Sequence, residues 1–159
     1  MATAVEQLSE LVPVQVKDED KIKYSAVGVQ EYRGRFQAFH VAPQLEEGRQ
    51  RKVEVLAQSD IASSIVHIIK SGGENALHAH RAQDATWLVL EGQVSFFGED
   101  GETIAVLNPR DGLFVPRGAA YYFMSTGTDT AIILRMSAKS TEVPNERLDY
   151  DTPFVESGA

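Results

Sequence analysis

Short apolar runs, separated by turn-forming residues at intervals of about ten positions, extend from Val53 towards the end of the chain. Glycine, proline, asparagine and aspartate interrupt the runs, and Asp100-Gly101 is a strong hairpin signal. This pattern predicts an all-β, antiparallel sandwich or barrel. We predict strands at residues 61–70, 76–80, 86–90, 93–97, 103–107, 112–115, 120–124 and 131–136.

The segments on either side of these runs have weaker patterns. Val5, Leu8, Leu11 and Val12 have helical spacing, and residues 32–41 are compatible with an extra strand. We expect residues 1–52 to form an N-terminal extension that packs on the barrel, residues 53–140 to form the barrel, and residues 141–159 to form an irregular tail on its surface.

Composition excludes several classes of function. The 159 residues include 15 Lys and Arg against 23 Asp and Glu, a balance that disfavours nucleic acid and anionic membranes as partners. The absence of cysteine excludes disulfides, thiolate catalysis and cysteine-ligated metals. The N-terminus lacks the basic and apolar regions of a secretion signal. We therefore expect a soluble cytoplasmic protein.

His78 and His80 are the first candidates for chemistry. They stand two apart in a predicted strand, so both imidazoles should point to the same face. Two converging imidazoles suit a first-row metal ion if oxygen donors complete the coordination shell. The alternative is a pair of histidines on an ordinary polar strand face.

The sequence around this pair resembles the first signature of the cupin superfamily. The resemblance lies in Gly72-Gly73, the HxH pair and the closing Gly92. A second signature is echoed by Arg110-Asp111, Pro116-Arg117-Gly118, Tyr121 and Ser125. The resemblance covers residues 61–136 and implies a cupin-type antiparallel β-barrel, also called a double-stranded β-helix or jelly roll.

The resemblance also implies four metal ligands, and two of them differ here. Ala85 occupies the glutamate position of the first signature, and Tyr121 occupies the histidine position of the second. His78, His80 and Tyr121, with Asp84 or water, remain candidate ligands for Fe, Mn, Ni or Zn. Asp84 would have to be turned inward by a bulge, because regular alternation points it away from the pair. The rival is a metal-free pocket in which a histidine exchanges protons and Tyr121 donates a hydrogen bond to a substrate oxygen.

Strand alternation predicts the rest of the pocket. If Ala85 and Tyr121 face inward, so do Trp87, Phe123 and Ser125, and such a lining suits a hydrophobic or aromatic small molecule with one or two oxygen functions. The alternative is that these rings fill the core of the barrel, which is the simpler interpretation for Phe123. Arg135 is a candidate for binding a substrate carboxylate, although an exposed edge position is the simpler interpretation. His67, within an apolar run, is interpreted as a structural histidine whose hydrogen bonds are satisfied.

Two functions follow from the resemblance. The first is a small-molecule enzyme, a lyase, isomerase, cyclase or dioxygenase, acting on a hydrophobic or aromatic oxygenated substrate. The second is a non-catalytic ligand-binding or sensor module. The resemblance also implies a homodimer, which would cover exposed sheet edges.

Overall fold

The computed structural model describes residues 36–42, 44–71 and 75–152. The chain divides into two compact units, residues 1–41 and 42–159, and every described strand belongs to the second. The ten strands are β1 (Arg51–Gln58), β2 (Ala62–Ile69), β3 (His78–His80), β4 (Gln83–Glu91), β5 (Val94–Phe97), β6 (Thr103–Leu107), β7 (Gly112–Val115), β8 (Tyr122–Ser125), β9 (Ala131–Lys139) and β10 (Arg147–Asp149).

The strands form three antiparallel sheets. Five strands pair in the order β1-β2-β9-β4-β7, three in the order β6-β5-β8, and β10 pairs with β3. The first two sheets pack against each other, since one core cluster joins Trp87, Val89 and Ile133 of the larger sheet to Phe96 and Phe123 of the smaller. The all-β barrel predicted from the sequence is therefore confirmed.

The residues of strand β4 alternate between the core and the outer face of the sheet. Ala85, Trp87 and Val89 are buried, whereas Thr86 between them is exposed. This period of two is what a strand produces when only one of its faces meets the core. The strand ends before Gly92, whose positive φ and close approach to Ala131 favour a residue without a side chain.

All eight predicted strands are present, with ends shifted by a few residues. Asp100-Gly101 closes the β5–β6 hairpin, with Gly101 at φ +76°. The described part of the predicted strand at 32–41, residues 36–41, is not a strand, and the rest of it lies outside the described residues, as does the predicted N-terminal helix. The prediction of an entirely irregular tail is wrong, because β10 forms within it.

The proposed division into extension, barrel and tail stays a prediction, although β1 begins at Arg51, two residues before the expected start of the barrel. Within the described ranges, no helix is long and apolar enough to cross a membrane.

Candidate active site

The two motif histidines lie together on β3, with their ring centroids 5.1 Å apart. His78 is 3% exposed and is joined to Tyr121 by a pair of backbone hydrogen bonds of 3.1 and 2.9 Å. The side chains follow the backbone, and the His78 and Tyr121 rings lie 4.7 Å apart. Strand β3 thus brings its two histidines to a phenol more than forty positions away in sequence.

The ring of His78 is oriented by a backbone carbonyl group two residues earlier in the chain. Its Nδ1 lies 2.8 Å from the Ala76 carbonyl oxygen, which can only accept a hydrogen bond. The neutral ring therefore carries its proton on Nδ1 and its lone pair on Nε2. Both ring nitrogens of His80, in contrast, are buried without a hydrogen-bond partner among the described residues.

Aromatic rings of the core cluster pack beside these groups. Trp87 contacts Tyr121 at 6.2 Å and Phe123 at 5.0 Å between ring centroids, and both Trp87 and Phe123 are 1% exposed. The guanidinium of Arg135 lies over the Trp87 ring, 5.7 Å from its centroid. Arg135 directly opposes Trp87 in the β4–β9 register, so both side chains project to the same face.

The interpretation of Arg135 as an exposed edge residue is wrong. Strand β9 lies in the middle of the five-stranded sheet, between β2 and β4, and Arg135 is partly buried. Burial and two other arginines, Arg147 and Arg51, lower the pKa of Arg135, whereas the neighbouring Tyr121 raises it. An arginine in this position keeps its charge and needs an anionic or polar partner.

Electrostatics keep the site histidines neutral. Burial, followed by the charges of His78, Arg135 and Arg147, lowers the pKa of His80 to about 4. Burial also lowers the pKa of His78, partly opposed by its hydrogen bond to Ala76.

Burial raises the pKa of Tyr121, so the phenol stays protonated at neutral pH. Trp87 and Arg135 are close enough to the Tyr121 hydroxyl to influence its pKa, but no well-aligned hydrogen bond reaches it from the part of the chain that the structure describes.

Asp84 lies away from this cluster. It pairs with Ala138 of β9 in regular register, so no bulge turns it inward. Its carboxylate instead accepts hydrogen bonds from the backbone and guanidinium of Arg117, at 2.8, 3.2 and 2.8 Å. These bonds lower the pKa of Asp84 and hold it on the outer face.

Ser125 and Phe123 follow the predicted alternation on β8, and both are buried. Ser125, however, lies about 13 Å further along the strand than Tyr121. There its hydroxyl is directed at the Asp129 carbonyl oxygen, 3.5 Å away. The structure thus brings together six of the predicted residues and places Ser125 towards the other end of the barrel. The six are His78, His80, Tyr121, Trp87, Phe123 and Arg135.

The residues at this site do not fit a divalent metal ion. No group of three or more His, Asp or Glu side chains that could hold one occurs in the described ranges. Ala85 supplies no ligand, and Tyr121 would have to lose a proton that its burial stabilises. The charge of Arg135 close to the site opposes a second positive charge.

Sequence reasoning missed His67. Its interpretation as a satisfied structural histidine is wrong, since neither ring nitrogen has a hydrogen-bond partner within the described part of the chain. The available signal was the alternation of Ile65, His67 and Ile69, but the sequence does not show which face of β2 looks into the barrel.

Comparisons with known proteins agree with this architecture. The profile of the family described as "Cupin domain" matches residues 65–136. A double-stranded β-helix protein from Klebsiella pneumoniae is 19% identical, with a TM-score of 0.57, over 67% of this chain and 90% of that one.

Two further solved structures show the same fold. A cupin superfamily protein from Desulfitobacterium hafniense is 21% identical, with a TM-score of 0.53, over 62% of this chain and 84% of that one. KdgF from Halomonas sp. is 16% identical, with a TM-score of 0.53, over 65% of this chain and 94% of that one. No curated protein matches.

Residues 65–136, slightly less than half of the chain, match the cupin domain family, and the solved structures share its double-stranded β-helix fold. This match supports a small-molecule enzyme or binding module in general terms, and at these identities the solved structures establish the fold alone.

Proposed function

We propose that the barrel interior binds a small organic acid with a hydrophobic or aromatic body and acts on it by metal-free proton transfer, as a lyase or isomerase. One observation carries this proposal. Buried polar atoms of His80, Trp87, Tyr121 and Arg135 have no hydrogen-bond partner in the described part of the chain, and these side chains lie around one cluster of rings. Buried polar groups are nearly always paired, so such a cluster indicates a bound molecule.

The charge of the site favours an anion. Arg135 lies inside the barrel, and Arg147 is close enough to lower the pKa of both motif histidines. Asp149 raises these pKa values, but its carboxylate is paired with Arg147 at 2.7 Å. A carboxylate held by Arg135, with its body against Trp87 and Phe123, would satisfy both the charge and the aromatic wall.

The residues divide between two tasks. His80, neutral at pH 7, has a lone pair that can accept a proton from a carbon next to a carbonyl group. The negative charge then moves to the carbonyl oxygen, where the protonated Tyr121 and the Arg135 guanidinium can stabilise it. An anionic ligand would also raise the pKa of His80 from about 4 towards the value of an efficient base.

A ligand-binding module without catalysis is the second candidate. The low pKa of His80 favours it, because a group with a pKa of about 4 is a weak base at neutral pH. The two candidates share the same ligand chemistry and differ only in turnover.

Binding of cinnamate and of cinnamamide, measured by calorimetry, tests the ligand class. These probes differ in the carboxylate that Arg135 would recognise, and we expect cinnamate to bind at least tenfold tighter, on the order of 1.4 kcal/mol or more. Arg135→Gln should abolish the difference. Asp84→Asn, on the outer face of β4, is the matched control and should leave it unchanged. Equal affinities for the two probes in the wild type would overturn the proposal.

Two further measurements separate catalysis, binding and metal chemistry. Deuterium exchange into the methylene group of phenylpyruvate, accelerated by the wild type but not by His80→Gln, supports proton transfer, whereas binding without exchange supports the second candidate. Elemental analysis of protein purified without chelator should find far less than one metal ion per chain. One equivalent of metal that is lost in His78→Ala would contradict the metal-free mechanism.

A further inference from the structure

His67 is a buried polar side chain that neither cupin signature contains. It lies on β2, separated from β4 by β9, and is 5% exposed. Its ring contacts Trp87 at 5.1 Å and Phe123 at 5.9 Å between centroids, so it lines the same aromatic cluster as the proposed site. The Trp87 ring contacts both His67 and the Tyr121 ring, with centroids 5.1 and 6.2 Å away.

Nothing in the fold accounts for the polarity of His67. Both ring nitrogens are buried, and none of the residues that the structure describes gives either one a hydrogen bond. Its neighbours across the sheet, Val53 and Ile133, are apolar. An apolar side chain would fill this position with less loss of stability, which points to a ligand as the partner of the ring.

The ring is uncharged at neutral pH. Burial, followed by the charges of Arg135, Arg51 and His78, lowers its pKa to about 3. A neutral imidazole has one donor nitrogen and one acceptor nitrogen. A hydroxyl group both donates and accepts, so it can pair with the ring nitrogen that it meets in either tautomer, whereas a carboxylate pairs only with a donor.

We propose that His67 is a specificity-determining residue that binds a second, uncharged oxygen function, a hydroxyl group, on the same ligand whose acidic group binds Arg135. The inference rests on the proposed function and narrows it: the ligand is an acid whose hydrophobic or aromatic body also carries a hydroxyl group within reach of His67, which lies diagonally across from Arg135 on the adjacent strand. Trp87, which contacts both His67 and Arg135, and Phe123 would pack against that body.

The affinities of cinnamate and its 2-, 3- and 4-hydroxy derivatives test this inference. In the wild type, we expect the best hydroxy isomer to bind about tenfold or more tighter than cinnamate. In His67→Phe this ratio should fall to about one, while the affinity for cinnamate itself changes by no more than about threefold. Ile133→Val, which alters packing opposite His67 without changing polarity, is the matched control and should keep the wild-type ratio.

Two readouts separate recognition from a structural role. Without ligand, His67→Phe should melt about 2–6 °C higher than the wild type, because an unpaired buried polar group is removed. In the wild type, the ring ¹⁵N resonances of His67 should shift by clearly more when the hydroxy isomer is added than when cinnamate is added, because only the hydroxyl group bonds the ring directly. This NMR measurement does not depend on how the variant folds.

The outcomes are distinguishable. If cinnamate binds in an Arg135-dependent manner but no hydroxy isomer binds more tightly, His67 has no such role and the proposed function stands. If the preference persists in His67→Phe, another residue reads the hydroxyl group and the inference is wrong. If cinnamate binds no better than cinnamamide, the proposed function fails and the inference fails with it.

Discussion

The two faces of β3 and β8 differ in what they bury. Tyr121 and Tyr122 are adjacent and each is 2% exposed, yet they enter different clusters. Tyr122 stacks on Phe97 with centroids 5.0 Å apart, in an outer cluster with Leu77, Ala79 and Ala120. Tyr121 turns inward to the histidines and Trp87.

Unpartnered polar atoms distinguish the faces. Within the described residues, the buried side-chain atoms that lack a hydrogen-bond partner include none from the outer cluster, whereas the barrel interior contributes atoms of His67, His80, Trp87, Tyr121 and Arg135. In the described part of the chain, the outer cluster therefore contributes none of the unpaired buried polar atoms that lower the stability of the fold. The inner face keeps polar groups that lower stability, as expected where function determines the residues.

Mild acid should produce the largest change in the free energy of unfolding. His67 and His80 have folded pKa values of about 3 and 4, below the unfolded value of 6.5, so the unfolded chain takes up protons first. The loss of stability that these two histidines cause is absent above pH 6.5. As the pH falls, it lowers the free energy of unfolding by up to about 1.4 kcal/mol per pH unit for each histidine. At pH 5 the free energy of unfolding should be lower by about 4 kcal/mol.

Urea denaturation between pH 7.5 and pH 5 measures this loss while the carboxylates remain ionised. His67→Phe removes one of the histidines with a lowered pKa and should reduce the slope by up to about 1.4 kcal/mol per pH unit. A free energy of unfolding that stays constant over this range would show that the inner histidines are not held neutral.

Truncation of a side chain in the outer cluster should have the next largest effect on the free energy of unfolding. Tyr122→Ala removes the ring that stacks on Phe97 and should lower the free energy of unfolding by about 3 kcal/mol. Its folded fraction should bind cinnamate with wild-type affinity, because Tyr122 does not line the interior. Denaturation and calorimetry test the two statements, and a specific loss of binding would show that the faces are not independent.

Tyr121→Phe should have the smallest effect on stability and the opposite sign. It removes one buried hydroxyl group that has no well-aligned hydrogen bond among the described residues, and it should raise the free energy of unfolding by about 1 kcal/mol. Binding of cinnamate should weaken by about tenfold, because one donor to the ligand is lost. A variant that is less stable and binds normally would assign Tyr121 to the structure rather than to the site.

Alternation and turn chemistry explain why most of the barrel could be predicted. Eight of the ten described strands were identified because burial imposes a period of two, and Ala85, Trp87 and Tyr121 were placed inward by the same rule. Strands β1 and β10 were not predicted. Strand β10 could not be found in this way, since Arg147, Leu148 and Asp149 are all exposed. It is a strand because it pairs with β3, which sequence periodicity does not reveal.

The same limit applies to the site. Parity within one strand relates His78 to His80, but the position of Arg135 depends on β9 lying between β2 and β4. His67 was misinterpreted for the same reason, because its contact with Trp87 crosses β9. The pairing of two copies of the chain stays a prediction.

The support of β3 has a practical consequence. This strand of three residues belongs to neither large sheet and is held by β10 on one side and by the Tyr121 bridge on the other. Arg147 opposes His80 and Asp149 opposes His78, while the backbone of Tyr150 donates to Leu77 at 3.0 Å. Removal of the chain from residue 147 onward would leave the two main sheets in place but would release β3 from its partner strand. A fusion partner joined directly after residue 147 would have the same effect. Such proteins would keep the circular dichroism spectrum of the main sheets and lose the arrangement of His78 and His80.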